Sequence, residues 1–151
     1  MADPAPPPGF EPHFRRSPVT DAWAPLYSRR AEGAVALGLW IDRPHTNGRG
    51  FAHGGLISAL ADNAMGLTCA EQLADDASLV TVSLAVDFLD SGRMGEWLEV
   101  SPRLVRAGST LCFTDATVTA DGRPCARAHA TFRVVGRRLP SEAPPLAPAL
   151  P

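Results

Sequence analysis

Gly54-Gly55-Leu56-Ile57-Ser58-Ala59-Leu60-Ala61-Asp62-Asn63-Ala64-Met65-Gly66-Leu67-Thr68-Cys69-Ala70-Glu71-Gln72-Leu73 is the one long helical pattern in the chain, and its reading decides the fold. Leu56, Leu60, Ala64 and Leu67 recur at i, i+4, i+8 and i+11, a stripe suited to burial against a sheet. Gly55, Ser58, Asp62, Gly66 and Cys69 form a second line of small side chains with one acid in it. Upstream, Val35, Leu37, Leu39 and Ile41 alternate with Ala34, Ala36 and Trp40, the period of a strand. Downstream, four period-two segments cover residues 80–88, about 96–106, 110–119 and about 124–135. In the first of these, Val80, Val82, Leu84, Val86 and Phe88 are expected to face the core, with Thr81, Ser83, Ala85 and Asp87 facing away. Turns at 91–95, 106–109 and 121–122 separate them, and Asp121-Gly122 is the signature of a tight hairpin. One long helix and an antiparallel meander each have a single apolar side to bury. The expected fold is therefore α+β, a central helix wrapped by a strongly curved antiparallel sheet.

At 151 residues the chain can bury one core without disulfides or metal. Its net charge of −2 gives no electrostatic case for nucleic acid or a membrane surface. All 14 basic residues are arginine, which reads as compositional bias. Cys69, Cys112 and Cys125 form no CxxC pair and read as free buried thiols in a reducing compartment. His13, His45, His53 and His129 lack zinc-ligand spacing, so no metal is expected. No stretch approaches the ~20 apolar residues that span a bilayer, and no basic-then-apolar leader opens the chain. The expected compartment is the cytoplasm. Residues 1–13 and 138–151 are rich in proline and alanine and are expected as solvated tails around a domain at 14–137. Thr20-Asp21, ahead of Ala22–Leu26, suggests a short capped helix.

The start of the long helix carries the chemistry. Gly54 and Gly55 present N–H groups among the unpaired donors of the first turn, and without Cβ atoms they let a ligand oxygen approach. The positive end of the helix dipole favours developing negative charge there. Asp62 follows about two turns on. By helix position alone it is either a solvated or backbone-bonded surface acid, or a partly desolvated base. An oxyanion-holding helix start with an acid downstream is an acyl-transfer constellation.

The pattern Asn47-(x5)-His53-Gly54-Gly55-(x6)-Asp62-Asn63 resembles the active-site segment of hotdog-fold acyl-CoA thioesterases of the phenylacetate-pathway (PaaI-like) type. Residues 80–89 and the turn Arg106–Leu111 resemble the later strands of that family, and the likeness covers about 33–135. The resemblance implies a hotdog fold and hydrolysis of an acyl-CoA thioester to a carboxylic acid and CoA. It implies no cofactor, since coenzyme A enters as part of the substrate. Asp62 would act as general base or nucleophile. The Gly54 N–H, with Gly55, would polarise the carbonyl, and Asn47 would orient water or the acyl group. His53 would hold the loop, and Thr81 would place a hydroxyl near the acid. Arg106, Gly108 and Ser109 would contact the CoA nucleotide. The resemblance further implies a homodimer or homotetramer with the site at the dimer interface.

Rival readings are fewer. No Gly-x-Ser-x-Gly is present, which sets a serine hydrolase aside. Asp42-Arg43-Pro44-His45 faintly resembles the loop of a hotdog hydratase or dehydratase, but its spacing is shorter and it leaves Asp62 without a role. A non-catalytic acyl-CoA-binding module would need no acid in the cleft.

Overall fold

The computed structural model describes residues 4–75 and 77–136. Its strands are β1 (Glu11–Pro12), β2 (Tyr27–Ala31), β3 (Ala34–Trp40), β4 (Ala77–Phe88), β5 (Trp97–Ala107), β6 (Leu111–Ala120) and β7 (Arg123–Gly136). Among the described residues two α-helices accompany them, α1 (Pro18–Asp21) and α2 (Gly54–Ala70), with a 3-10 turn at Arg43–His45. Among the described residues the strands form one antiparallel sheet in the order β1-β2-β3-β5-β6-β7-β4, which wraps α2. The expected α+β hotdog architecture is what forms.

The apolar stripe of α2 is wider than its i, i+4 reading. Leu56, Leu60, Ala64 and Leu67 are buried, and so are Ile57, Ala61 and Met65. They meet Val35, Leu37 and Leu39 of β3 and the inward residues of β5, β6 and β7 in one cluster. Two polar contacts are sealed inside it. Thr68 Oγ1 accepts from the Val35 N–H at 3.0 Å, and Cys69 Sγ lies 2.7 Å from Thr114 Oγ1. Thr68, Cys69 and Thr114, buried in this cluster, thus each have a polar partner. Burial pushes the Cys69 thiol up to about 11, so it is a packed and unreactive thiol. The hairpin at Asp121-Gly122 forms as its sequence signals, both residues having positive φ (48° and 78°).

Four expectations are corrected. First, α2 ends at Ala70 rather than Leu73, because the chain tightens there: Gln72 and Leu73 N–H bond to the carbonyls of Cys69 and Ala70. Second, the short helix begins at Pro18, with Ser17 rather than Thr20 as its cap. Pro18 at the first helical position is the signal that marks it. Third, the segment 1–13 is not a free tail throughout. Phe10 is buried against Trp97, with ring centroids 5.1 Å apart, and Glu11-Pro12 pairs with Tyr27-Ser28. Proline forbids a helix there but not an extended edge, and one buried phenylalanine supplies the apolar area that the composition conceals. The expected tail at 138–151 lies outside the described residues.

The fourth correction concerns β4. A bulge lies between Thr81 and Ser83, where one extra residue, Val82, interrupts pairing with β7. A bulge reverses the alternation. Upstream of it Leu79 and Thr81 share the helix-facing side with their partners Val134 and Phe132; downstream Leu84, Val86 and Phe88 do. Val80 and Val82 therefore lie outside the core, 53% and 60% exposed. Among the described residues β4 is also one of the two outer strands of the sheet, β1 being the other, and it is twelve residues long.

The loop between β4 and β5 is tied to the β6–β7 hairpin by Arg123. Its guanidinium donates to Asp90 Oδ2 at 2.8 Å, to the Ser91 carbonyl at 3.0 Å and to Glu96 Oε2 at 3.3 Å. Hydrogen bonding to Arg123 holds the Asp90 carboxyl below its ordinary value. That of Glu96 is lowered first by the Arg93 backbone N–H and then by Arg123. Lowered carboxyl values contribute stability that is present above the ordinary carboxylate range and lost as pH falls through the lowered values. Arg123→Ala is accordingly expected to lower Tm at neutral pH. Thermal melts across pH should show the gap to wild type closing in acid, and a constant gap would contradict this account.

Candidate active site

His53 caps α2 in extended geometry (φ −68°, ψ 132°), and its Nδ1 accepts the Gly55 N–H at 2.9 Å. His53 thus closes the first turn of α2, and the Gly55 N–H has an acceptor within the chain. Gly54 is different. As the first residue of α2 it has no intrahelical acceptor for its N–H, and no described residue accepts from it. The Phe88 ring packs so near that a Cβ on Gly54 would sit 3.1 Å from its Cζ. The approach to this N–H is narrow and partly apolar.

Asp62 lies half-buried on the α2 face that looks toward β4. Thr81 Oγ1 donates to Asp62 Oδ1 at 2.8 Å, a contact that exists because the bulge turns Thr81 inward. One carboxylate oxygen is thus fixed, and no hydrogen bond from the described residues occupies Oδ2. Asp62 and Thr81 open into a cleft of about 940 Å³ floored by Gly66, Leu67 and Phe132. A carboxylate oriented by a hydroxyl, with a free oxygen facing a cleft, is equipped to take a proton from water or to attack a carbonyl.

The other expected site residues are not gathered around Asp62 within one chain. Asn47 Oδ1 accepts from the N–H groups of Arg49 (2.9 Å) and Phe51 (3.3 Å), so its oxygen shapes the loop before α2. Arg106, Gly108 and Ser109 lie at the β5–β6 turn, with the Gly108 N–H donating to the Leu111 carbonyl at 2.8 Å. Strand register puts Leu111 opposite Arg133, beyond Phe132 and Thr81, toward the C-terminal end of α2. Gly54 is at the other end. Eight residues separate Gly54 from Asp62, a rise of about 12 Å along the helix. Two groups that far apart cannot both touch one carbonyl, which demands contacts near 3 Å.

His45 is a buried residue that the sequence leaves ambiguous. Its Nδ1 accepts the Asp42 N–H at 2.9 Å, and its Nε2 lies 3.0 Å from the Trp23 carbonyl. Both ring nitrogens serve backbone groups, which leaves neither for acid–base work. Among the described residues no group of three or more His, Cys, Asp or Glu is placed to hold a metal ion. No helix of the described residues is long and apolar enough to cross a membrane. The residues that sequence reasoning missed are those of the amino-terminal arm. His13 and Arg15 line the same cleft as Asp62, and a proline-rich segment carries no periodicity that would announce it.

A curved sheet around one long helix, with an oriented acid on that helix and a free N–H at its start, defines a hotdog thioester hydrolase. The chain belongs to the thioesterase superfamily, whose family model matches residues 49–126, just over half its length. It is 38% identical over 129 residues to PA0474 of Pseudomonas aeruginosa, an esterase by name, covering 85% of this chain and 96% of that one. Human acyl-coenzyme A thioesterase 13 is 32% identical over 105 residues, covering 67% and 73% of the two chains. Among solved structures, the Streptococcus mutans protein smu.793 bound to acetyl-CoA aligns with a TM-score of 0.64 and 32% identity. That alignment covers 71% of this chain and 85% of the other.

Proposed function

We propose that the protein hydrolyses acyl-CoA thioesters at a site completed by a second copy of the chain, with Gly54 from one copy and Asp62 from the other. The observation that carries this reading is the pairing of a free helix-start N–H with an oriented carboxylate about 12 Å away on the same helix. Each is suited to one half of thioester hydrolysis, and neither can reach the other's carbonyl alone. The Gly54 N–H takes the growing charge on the thioester oxygen. Asp62 Oδ2 activates water or attacks the carbonyl, while Thr81 holds Oδ1. The thiolate of CoA leaves, and the acyl group departs as a carboxylate.

The uncovered β4 edge supports a second copy. A long edge strand with exposed Val80, Val82 and Phe88 is a template for pairing, and pairing of two identical edges closes on itself. A two-fold partner brings its own β4, and with it a second cleft, beside the first. In such a homodimer the Arg106–Ser109 turn and Asn47 of one copy become available to a substrate held by the other. A cytoplasmic setting and the CoA-contacting role of Arg106, Gly108 and Ser109 belong to the same proposal. The hydratase reading loses its acid–base partner, because both nitrogens of His45 are engaged.

Thiol release from a panel of acyl-CoAs tests the reaction, and sedimentation tests the assembly. Release from at least one ester and a mass of two or four chains are expected. Hydration of an enoyl-CoA without thiol release, or a single-chain mass in the active protein, would contradict the proposal.

A further inference from the structure

The bulge in β4 and the contacts on either side of it restrict how a second copy can meet the free edge of this strand. Antiparallel pairing of one edge with its own copy has a two-fold axis normal to the sheet, so each side chain keeps its face. After the bulge Leu84, Val86 and Phe88 face the helix, and Ser83, Ala85 and Asp87 face away. A residue can therefore oppose only one an even number of positions away. The axis must fall on a residue rather than between two. Parallel pairing would put the two clefts on opposite faces of the sheet and keep Gly54 of one copy away from Asp62 of the other. Two contacts choose the residue. Thr81 Oγ1 donates to Asp62 Oδ1 at 2.8 Å, and the Phe88 ring lies against Gly54, its Cζ 3.1 Å from where a Cβ would stand.

We propose that two copies pair along β4 about an axis at Ala85, and that Phe88 of one copy forms the wall between its own Gly54 and Asp62 of the second copy. This deepens the shared-site reading and rests on it. About that axis Leu84 opposes Val86, and Ser83 opposes Asp87. Val82 drops out of this edge as it does from the pairing with β7, and Thr81 then comes opposite Phe88. Moving the axis by one residue shifts each partner by two, which carries Phe88 past Thr81 or leaves it short. The side chains brought together agree with this register. The half-buried Leu84 and Val86 meet on the helix side. On the outer side Ala85, the smallest residue of the segment, meets its own copy. The Ser83 hydroxyl faces an Asp87 carboxylate whose Oδ2 already accepts from Arg127 at 2.8 Å. An axis at Asp87 would instead set two carboxylates directly opposite each other. Cβ atoms of opposed residues are about 5 Å apart, so the Phe88 ring stands beside the Thr81–Asp62 pair. The thioester carbonyl that reaches from Asp62 to the Gly54 N–H then lies against that ring, which keeps water from the N–H.

Single cysteines test the register, since Cys69, Cys112 and Cys125 are buried. Ala85→Cys is expected to form a covalent dimer with oxidised glutathione, its Cα being about 5 Å from its copy and within disulfide reach. Ser83→Cys and Asp87→Cys alone should not, each lying four residues, or about 13 Å, from its copy. An equal mixture of those two should cross-link. A cross-link from Ser83→Cys or Asp87→Cys alone, or none from Ala85→Cys, overturns the register. The role of Phe88 is read in mixed dimers that carry Asp62→Asn in one chain only and are isolated through two tags. Phe88→Ala on the Asp62→Asn chain should lower the remaining turnover several-fold more than the same substitution on the other chain. Both dimers hold the same substitutions, so a folding defect cannot separate them. Equal loss, or none, in the two arrangements removes Phe88 from this role. A greater loss when Phe88→Ala sits on the chain with intact Asp62 means that each chain uses its own groups, which sinks the shared site itself. A failed Ala85→Cys cross-link with the first ordering of losses leaves the shared site standing and only the register wrong.

Discussion

Asp62→Asn is expected to lower kcat for thioester hydrolysis by about 10²–10⁴-fold, the range for loss of a positioned acid–base group. The substitution keeps the size of the side chain and can keep the hydrogen bond from Thr81 Oγ1, now 2.8 Å from Oδ1. It removes only the charge and the basic oxygen. Circular dichroism and melting should stay near wild type, since Asp62 is half-buried and makes no ion pair among the described residues. KM should move much less than kcat, because the carboxylate acts on water or the carbonyl as charge develops. A variant with wild-type turnover would remove Asp62 from the mechanism.

Gly54→Pro is expected to cost about 10²–10³-fold in turnover, the usual cost of losing one oxyanion donor. This substitution is unusually clean at this position. Proline is tolerated as the first residue of a helix, where the N–H has no intrahelical acceptor. The residue before a proline must be extended, and His53 already is, at φ −68° and ψ 132°. The nearest neighbour of a Cβ at this position is the Phe88 ring, a residue that is 55% exposed. Gly54→Ala serves as the control, since it adds the same crowding at Cβ and keeps the N–H. If alanine and proline lose activity equally, the effect is steric and the N–H is not the electrophile.

Much of this fold was legible because its signals are local. The 3.6-residue stripe from Leu56 to Leu67 and the Asp121-Gly122 turn each depend on neighbours a few residues away, and both formed as read. The side of β4 was not legible. Val80 to Phe88 alternate without a break, but the bulge at Val82 is set by pairing with β7, some fifty residues later in the chain, and it sends Thr81 to Asp62. The same holds for the arm. Nothing in Pro6-Pro7-Pro8-Gly9-Phe10 foretells a buried ring, because the aromatic pocket at Trp97 comes from distant strands.

The site was half legible. His53, Gly54 and Asp62 stand out by type and spacing, and the structure gives each a distinct environment. Their count along the helix also contained the objection to a one-chain site, since eight residues of α-helix cannot be folded shorter than about 12 Å. What periodicity does not show is whether a second chain supplies the missing half. Val80 and Val82 of β4 leave apolar side chains exposed on that edge strand, among polar neighbours such as Ser83 and Asp87.

The most direct test of a site shared between copies is complementation. Asp62→Asn and Gly54→Pro chains carrying different affinity tags are co-expressed, and the mixed dimer is isolated through both tags. One of its two sites would then draw an intact Gly54 from the first chain and an intact Asp62 from the second, while the other site would lack both. About half of the wild-type turnover per dimer is the predicted result. Turnover no higher than that of either variant alone would contradict the account, because it would mean that each chain must supply both groups to its own site.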